Sequence, residues 1–290
     1  MKIGFLGTGL MGQPMALQLL KANYSVIAYN RTKSKLQPLN ASGGIIAASA
    51  TEVMQQADCI ILMLTDAAAI RSSILSEDTK SNIANRTIIQ MGTIAATESQ
   101  SIRDEVVAAG GEYLEAPVLG SIPQVTAGEL IVMVGSTEAQ FAKYRGLLQH
   151  YSPEPMYIGE VGTAAAMKLA LNQLIPNLIS SFSLSLSLVQ HLGVDIEKFM
   201  AVLRQSAIYA PTFDKKLPRM RDRNFAKPNF PTKHLLKDTN LIINQAAELG
   251  LNTSHLEGVK QVIETALEMG LADLDYSAIY SAINPPTPNS

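Results

Sequence analysis

Lys2-Ile3-Gly4-Phe5-Leu6-Gly7-Thr8-Gly9-Leu10-Met11-Gly12 opens the chain and decides its fold. Lys2 to Leu6 reads as a short buried strand, the glycines as a tight turn, and Gln13 to Ala22 as a helix with apolar positions at Met15, Leu19 and Leu20. Gly7 permits the turn, Gly9 lets the backbone approach a pyrophosphate, and Gly12 lets the helix pack closely on the strand. The helix N-terminus adds free N–H groups and a partial positive charge. A second strand, Tyr24 to Tyr29, follows at once, and this order of strand, glycine turn, helix and strand predicts a dinucleotide site that includes Leu10 and Met11 of the loop.

The end of the second strand decides which dinucleotide. An NAD site places an Asp or Glu here to accept the ribose 2′-OH, and that acid repels a 2′-phosphate. This chain has Asn30-Arg31-Thr32-Lys33-Ser34-Lys35. Asn30 is neutral, and Arg31, Thr32 and Lys35 offer two cations and a hydroxyl, so NADP(H) is expected. The apolar run from Ile3 to Leu20 is not read as a signal peptide, because four glycines and a proline interrupt it and it lacks a small-residue cleavage site.

The 290 residues suggest two domains, placed at 1–160 and 161–290. A net charge of -2 with 17% charged residues gives no electrostatic footprint for nucleic acid or an anionic membrane, so the expected partner is a small molecule. The single cysteine, Cys59, rules out an internal disulfide and fits a reducing compartment, the cytoplasm. It lies in the apolar run Ala57 to Leu64 and reads as a buried structural thiol. His150, His191, His234 and His255 show no metal-ligand spacing, and no metal is expected.

Further strands are expected at Ile45 to Ala47, Ile60 to Leu64 and Thr87 to Met91, with helical segments at Thr51 to Gln56, Ile70 to Leu75 and Ala95 to Ala109. In an open α/β sheet the ligand sits at the carboxyl ends of the strands, which points to Met63, Leu64, Thr65 and Thr93. Thr93 has an alternative use: it or Thr97 can cap the helix that follows. Tyr113 to Val118 runs extended, Leu119-Gly120-Ser121 forms a turn, Gly128 to Gly135 reads as the final strand, and Thr137 to Leu148 is a helix. The result is an α/β fold with an N-terminal doubly wound sheet.

Beyond Ile158 the strand signals stop. Leu169 to Val189 carries no charge over 21 residues, the length of a membrane span. Asn172, Gln173, Asn177, Pro176 and five serines sit badly in lipid, however, and no basic flanks beyond the single Lys168 mark an orientation. A long helix buried inside the protein, leading into an all-α second domain, is expected instead, with Pro176 kinking it or starting a new one. The period-two pattern of Ser181 to Leu188 is overruled by its helical flanks. Asp195 to Gln205, Lys233 to Leu249 and Leu256 to Met269 read as helices, and the proline-rich tail Asn284 to Ser290 as frayed.

Lys168 is the only charge between Glu160 and Asp195, and Asn172 lies four residues on, on the same helical face. A lone cation in an apolar segment has a chemical use or snorkels to solvent. If both side chains face a nicotinamide, Lys168 donates a proton to a carbonyl oxygen as hydride reaches the carbon, and its charge stabilises the developing alkoxide.

Four blocks in this order resemble the β-hydroxyacid dehydrogenases, across nearly the whole chain. They are Gly4 to Gly12, Glu115-Ala116-Pro117-Val118-Leu119-Gly120-Ser121, Gly162 with Lys168 and Asn172, and Lys233-His234-Leu235-Leu236-Lys237-Asp238. The resemblance implies a Rossmann domain joined by a long helix to an all-α domain, in homodimers or homotetramers. It implies Lys168 as catalytic lysine with Asn172 as its partner, and a substrate carboxylate site at Thr93 and Leu119-Gly120-Ser121. It further implies Lys237 as a cofactor-binding lysine. Phe230 and Asp238 match substrate positions of the glyoxylate/succinic semialdehyde reductase branch, which Asn30-Arg31-Thr32 and Leu271 to Ala278 also fit. The family usually has Ser where this chain has Leu119, so the carboxylate relies here on backbone N–H groups or Ser121. The expected activity is NADPH-dependent reduction of a small aldehyde acid to the hydroxy acid. The alternatives are a 3-hydroxyisobutyrate-type dehydrogenase and a non-catalytic NADP-binding interaction protein.

Overall fold

The chain first lays down β1 (Lys2–Leu6), α1 (Gly12–Lys21), β2 (Ser25–Tyr29), α2 (Gln37–Ala41), β3 (Ile45–Ile46) and α3 (Ala50–Gln56). There follow β4 (Cys59–Leu62), α4 (Ala67–Ile74), α5 (Glu77–Lys80), β5 (Thr87–Gln90) and α6 (Ala96–Ala108). Then come β6 (Glu112–Glu115), β7 (Val118–Leu119), α7 (Ile122–Ala127), β8 (Ile131–Gly135), α8 (Glu138–Leu148) and β9 (Met156–Gly159). The structure is a computed structural model and describes residues 1–286.

These strands form one sheet in the order β3-β2-β1-β4-β5-β6-β8-β7, with β9 on β8. Strands β1 to β6 pair in parallel. Their apolar runs are covered on both sides, as a parallel sheet requires. Alternation divides them: Ile3, Phe5, Val26, Ala28, Cys59, Ile61 and Ile89 enter one core, and Leu6, Ile27, Ile60, Leu62 and Ile88 the other. Helices cover each face, the doubly wound arrangement expected.

Three local expectations are corrected. Gly128 to Gly135 does not hold the final strand, because Met156–Gly159 adds β9 parallel to β8. Leu119 is not in a turn: it pairs with Ile131 across β7 and β8, which run antiparallel. Neither Thr93 nor Thr97 caps α6; the N-cap is Ala95, whose N–H is satisfied by Glu98 Oε2 at 2.9 Å.

The chain divides into two compact units after Leu169. The boundary falls inside α9 (Thr163–Asn172), further along than the 160/161 position read from the sequence. The second unit holds α10 (Leu174–His191), α11 (Ile196–Gln205), α12 (Pro211–Arg221), α13 (Thr232–Glu248), α14 (Ser254–Glu268) and α15 (Ile279–Ile283). It is all-helical, with α12 and α15 beyond the helices read from sequence. Its core gathers Ile179, Phe182, Leu186, Met200, Phe213, Leu217, Leu235 and Ile263, with Phe182 and Phe213 stacked at 4.7 Å. Of the two outcomes expected at Pro176, a kink or a new helix, the structure shows the second: two helices broken at Gln173. Pro176 has no N–H to give the carbonyl of Asn172, so it starts a new helix rather than continuing the old one. Ser183 and Ser187 return their hydroxyls to carbonyls one turn back, at 2.7 Å each, and so sit inside an apolar helix without an unmet proton. Among the described residues no helix is long and apolar enough to cross a membrane. Asn284 to Pro286 do not extend α15, and the rest of the tail expected to fray, residues 287–290, lies outside the described residues.

Candidate active site

The turn between β1 and α1 owes its shape to two close approaches. Gly7 has φ +95°, and a Cβ there would run into the backbone carbonyl of Met63 at the end of β4. A Cβ on Gly12 would run into the carbonyl oxygen of Gly7 and lie 3.1 Å from Phe5 Cε1. Gly9 has nothing within 4 Å of where its Cβ would stand. Two of the glycines therefore fold the loop, and the third keeps its outer side open. Met11, the N-cap of α1, offers no side-chain acceptor; the Gln13 N–H goes to the Gly9 carbonyl at 3.1 Å and Pro14 has none, so in the first turn it is the Gly12 N–H that faces an anion, together with the helix dipole.

Beside this turn lies a cavity of about 420 Å³ at the carboxyl ends of β1, β2 and β4. Gly7, Gly9, Asn30, Arg31, Thr32, Lys35, Met63, Leu64 and Thr65 line it, as the sequence led one to expect. Leu10, Met11 and Gly12 do not; Leu10 is exposed and Gly12 packs the helix. Sequence reasoning missed Ala69, Ser72 and Ser73, which α4 turns toward the cavity. Their spacing of three and four is the detectable signal, since it puts them on one helical face. Asn30 also braces the loops around it. Its Oδ1 accepts from the Thr8 N–H at 3.0 Å, and its Nδ2 donates to the Thr32 carbonyl at 3.0 Å. It thereby ties the glycine turn to the basic loop. The open Gly9, the uncapped helix and the cations beyond β2 fit a dinucleotide with its pyrophosphate at α1.

Thr93 is half-buried after β5. Its loop is pinned by Gln90, which donates to the Gly92 carbonyl at 3.0 Å and accepts from the Gly92 N–H. Gly120 has φ +137°, and Ser121 is the N-cap of α7. Ser121 gives both its N–H and its hydroxyl to Gln124 Oε1, at 3.0 and 2.7 Å.

Helix α9 carries Lys168 and Asn172 one turn apart. Lys168 is 7% exposed and Asn172 4%, so the lysine does not take the solvent-exposed alternative. Asn172 Nδ2 donates to Asp238 Oδ2 at 2.8 Å, and Lys237 Nζ lies 2.7 Å from the other carboxylate oxygen. A carboxylate only accepts, so it fixes which end of the Asn172 amide faces it. Asn172 Oδ1 is left as a buried acceptor with no hydrogen-bond partner among the described residues. Phe230 packs edge-on to Tyr276 at 5.8 Å and against His234 at 6.4 Å. Burial, joined by the Lys237 charge, lowers the His234 imidazole below its usual range, keeping that ring neutral.

Residues 2–159 match the family model of the NAD binding domain of 6-phosphogluconate dehydrogenase. Residues 162–283 match that of the NAD-binding domain of NADP-dependent 3-hydroxyisobutyrate dehydrogenase. The chain is 30% identical to glyoxylate/succinic semialdehyde reductase 1 of Arabidopsis thaliana, over 98% of each chain. It is 33% identical to the chloroplastic glyoxylate/succinic semialdehyde reductase 2 of that plant, over 97% of this chain and 79% of the relative. The 3-hydroxyisobutyrate dehydrogenase of Mycobacterium tuberculosis, solved with L-serine, shares the fold, with a TM-score of 0.87, 23% identity and 98% and 99% of the two chains covered. With the glycine turn on β1 and α1, the lysine and asparagine on α9 and these matches along the chain, the protein belongs to the β-hydroxyacid dehydrogenase family, NAD(P)-dependent oxidoreductases that act on CH–OH groups.

Proposed function

We propose that the chain is an NADPH-dependent reductase of small aldehyde acids such as glyoxylate and succinic semialdehyde, releasing the hydroxy acid. The carrying observation is the buried pair on α9: Lys168, and an Asn172 whose amide is held by Asp238 with its oxygen left over. NADPH, when bound, supplies the hydride that reaches the carbonyl carbon. Lys168 gives a proton to the carbonyl oxygen and becomes the neutral amine, which solvent reprotonates. Asn172 orients the substrate and Asp238 orients Asn172. Thr93, Gly120 and the Ser121 turn receive the carboxylate, with Leu119 adding only apolar surface, while Phe230 shapes the substrate site and Lys237 reaches the cofactor.

NADPH rather than NADH is favoured by Arg31, Thr32 and Lys35 on the cavity wall and by Asn30 where an acid would repel the 2′-phosphate. The names of the Arabidopsis relatives support the aldehyde acids as substrates. The compartment proposed is the cytoplasm, and the assembly a homodimer or homotetramer. Leu184, Leu188 and Leu192 recur four apart with 55%, 53% and 75% exposure, a stripe that a second copy would cover. Light scattering on the purified protein reads that mass.

The test is NADPH oxidation by purified protein with glyoxylate and succinic semialdehyde in parallel, NADH as control and Lys168→Ala beside the wild type. Turnover with NADPH that Lys168→Ala abolishes supports the reading. NADPH binding without turnover on either aldehyde acid sinks it.

A further inference from the structure

Glu115, at the end of β6, is a fully buried acid that the proposed chemistry does not use. Its Oε1 accepts three backbone N–H groups at the start of α9: Gly162 at 2.8 Å, Ala164 at 2.9 Å and Ala165 at 3.0 Å. Its Oε2 accepts from the Ser99 hydroxyl. Ser99 Oγ lies 2.9 Å from the Tyr113 hydroxyl. A hydroxyl has one proton, so with Ser99 donating to the carboxylate, Tyr113 donates to Ser99.

The surroundings are cut to receive this side chain. Gly135 is the cross-strand partner of Glu115, and a Cβ there would collide with the Glu115 carboxyl, standing 2.8 Å from Cγ and 2.9 Å from Cδ. Gly162 has φ +106°, a backbone that L side chains rarely adopt, and it aims its N–H at Oε1. Burial raises the acid above its usual range, and Ser99 with the three N–H groups works against that rise. A negative charge at a helix N-terminus is also favoured by the helix dipole.

Ala164 and Ala165 stand one turn before Lys168. We infer that Glu115 is a positioning residue for Lys168: it fastens the first turn of α9 to the end of β6, and so fixes the height and rotation at which the helix presents its lysine. The inference rests on Lys168 as the proton donor. Glu115 does not touch the reacting atoms. What matters is an acceptor oxygen at the Oε1 position. An amide in place of the acid keeps such an oxygen and turns its NH2 toward Ser99, which then accepts.

The experiment compares Glu115→Gln, Glu115→Leu and Gly135→Ala with wild type and Lys168→Ala. It reads kcat and KM for the aldehyde acid, NADPH affinity, the solvent isotope effect on kcat, and hydrogen exchange at Gly162, Ala164 and Ala165. Glu115→Leu is expected to exchange those three amides at least about tenfold faster and to lower kcat by about tenfold or more. Its NADPH affinity stays within about twofold, and its solvent isotope effect rises because proton transfer becomes the slow step. Glu115→Gln retains most of the wild-type kcat. Gly135→Ala, which displaces the carboxyl without removing it, falls between them and serves if Glu115→Leu does not fold.

Unchanged kcat in folded Glu115→Leu or Gly135→Ala, with Lys168→Ala inactive, overturns the positioning role alone. A full rate in Lys168→Ala overturns the proton-donor reading and this inference with it. Loss confined to melting temperature, with kcat and isotope effect unmoved, assigns Glu115 to stability only and also overturns the inference.

Discussion

Helix α1 begins behind Gly7 and Gly9 with no side-chain acceptor at its N-cap, whereas α9 begins behind Gly162 with the Glu115 carboxyl accepting from three of its N–H groups. Both lie in the sheet-bearing unit for their first turns, and both present the same partial positive charge. In α9 that charge is matched by an internal acid and the helix is fixed in place. In α1 it is left for an external anion, and a glycine with open space stands beside it. One helix end is spent on precision and the other on binding. On the function proposed above, the difference separates the residues assigned to catalytic rate from those assigned to cofactor affinity.

The largest break in that comparison is Lys168→Ala. General acid catalysis contributes roughly 10²–10⁴-fold, so turnover is expected to fall by that factor while NADPH affinity, set at α1, stays put. Steady-state rates beside an NADPH titration check both halves. A joint loss of rate and affinity would show that the two helix ends are not separable.

Next come two substitutions within the glycine turn. Gly12→Ala puts a methyl against the Gly7 carbonyl and Phe5, and overpacking of this kind costs about 1–3 kcal/mol. Gly9→Ala meets nothing, so its melting temperature is expected to match wild type while NADPH affinity drops. Denaturant melts with and without NADPH separate the two. Equal destabilisation by both would mean that Gly9 also shapes the loop.

That glycine turn was legible because each glycine stood at a fixed offset between an apolar strand and an amphipathic helix. Arg31, Thr32 and Lys35 were legible for the same reason, since their position follows from where β2 must end. The cap on α9 was not. Glu115 lies 47 residues before Gly162, and no local pattern says which buried acid meets which helix end. Thr93 shows the converse, since its sequence context left open a ligand-facing hydroxyl or a helix cap, and the cap is supplied by Ala95 and Glu98. The break at Gln173 was foreshadowed by Pro176, whereas β9 escaped notice because Met156 to Gly159 is short and followed by a helix start.

A smaller effect is expected at the cofactor end. Arg31→Ala removes one cation from the cavity wall, and a charge-assisted hydrogen bond is worth about 1.5–3 kcal/mol. NADPH affinity is therefore expected to weaken by roughly 10- to 100-fold and NADH affinity hardly at all. Comparing the two dissociation constants in one buffer decides it. An equal loss for both cofactors would move Arg31 from the 2′-phosphate to the pyrophosphate or the adenine.

The smallest response is expected at Cys59, a second buried acid of the same sheet, which lacks the donors that surround Glu115. Burial pushes its thiol up to about 12, with nearby Lys143 only partly offsetting the rise. Among the described residues no hydrogen bond to the Cys59 sulfur offsets its burial, so the group stays protonated and inert. In the folded protein at pH 8, iodoacetamide is expected to leave Cys59 untouched, and in denaturant to modify it fully. The sign of the pH effect follows. The unfolded thiol ionises near 9.0 and the folded one near 12, so this group's contribution to stability is complete below 9 and is lost as pH rises toward 12. Cys59→Ser is expected to flatten that alkaline loss in melts between pH 8 and pH 10. Rapid alkylation of the native protein would mean that the strand opens, and that the contrast with the donor-wrapped Glu115 is one of access rather than of charge compensation.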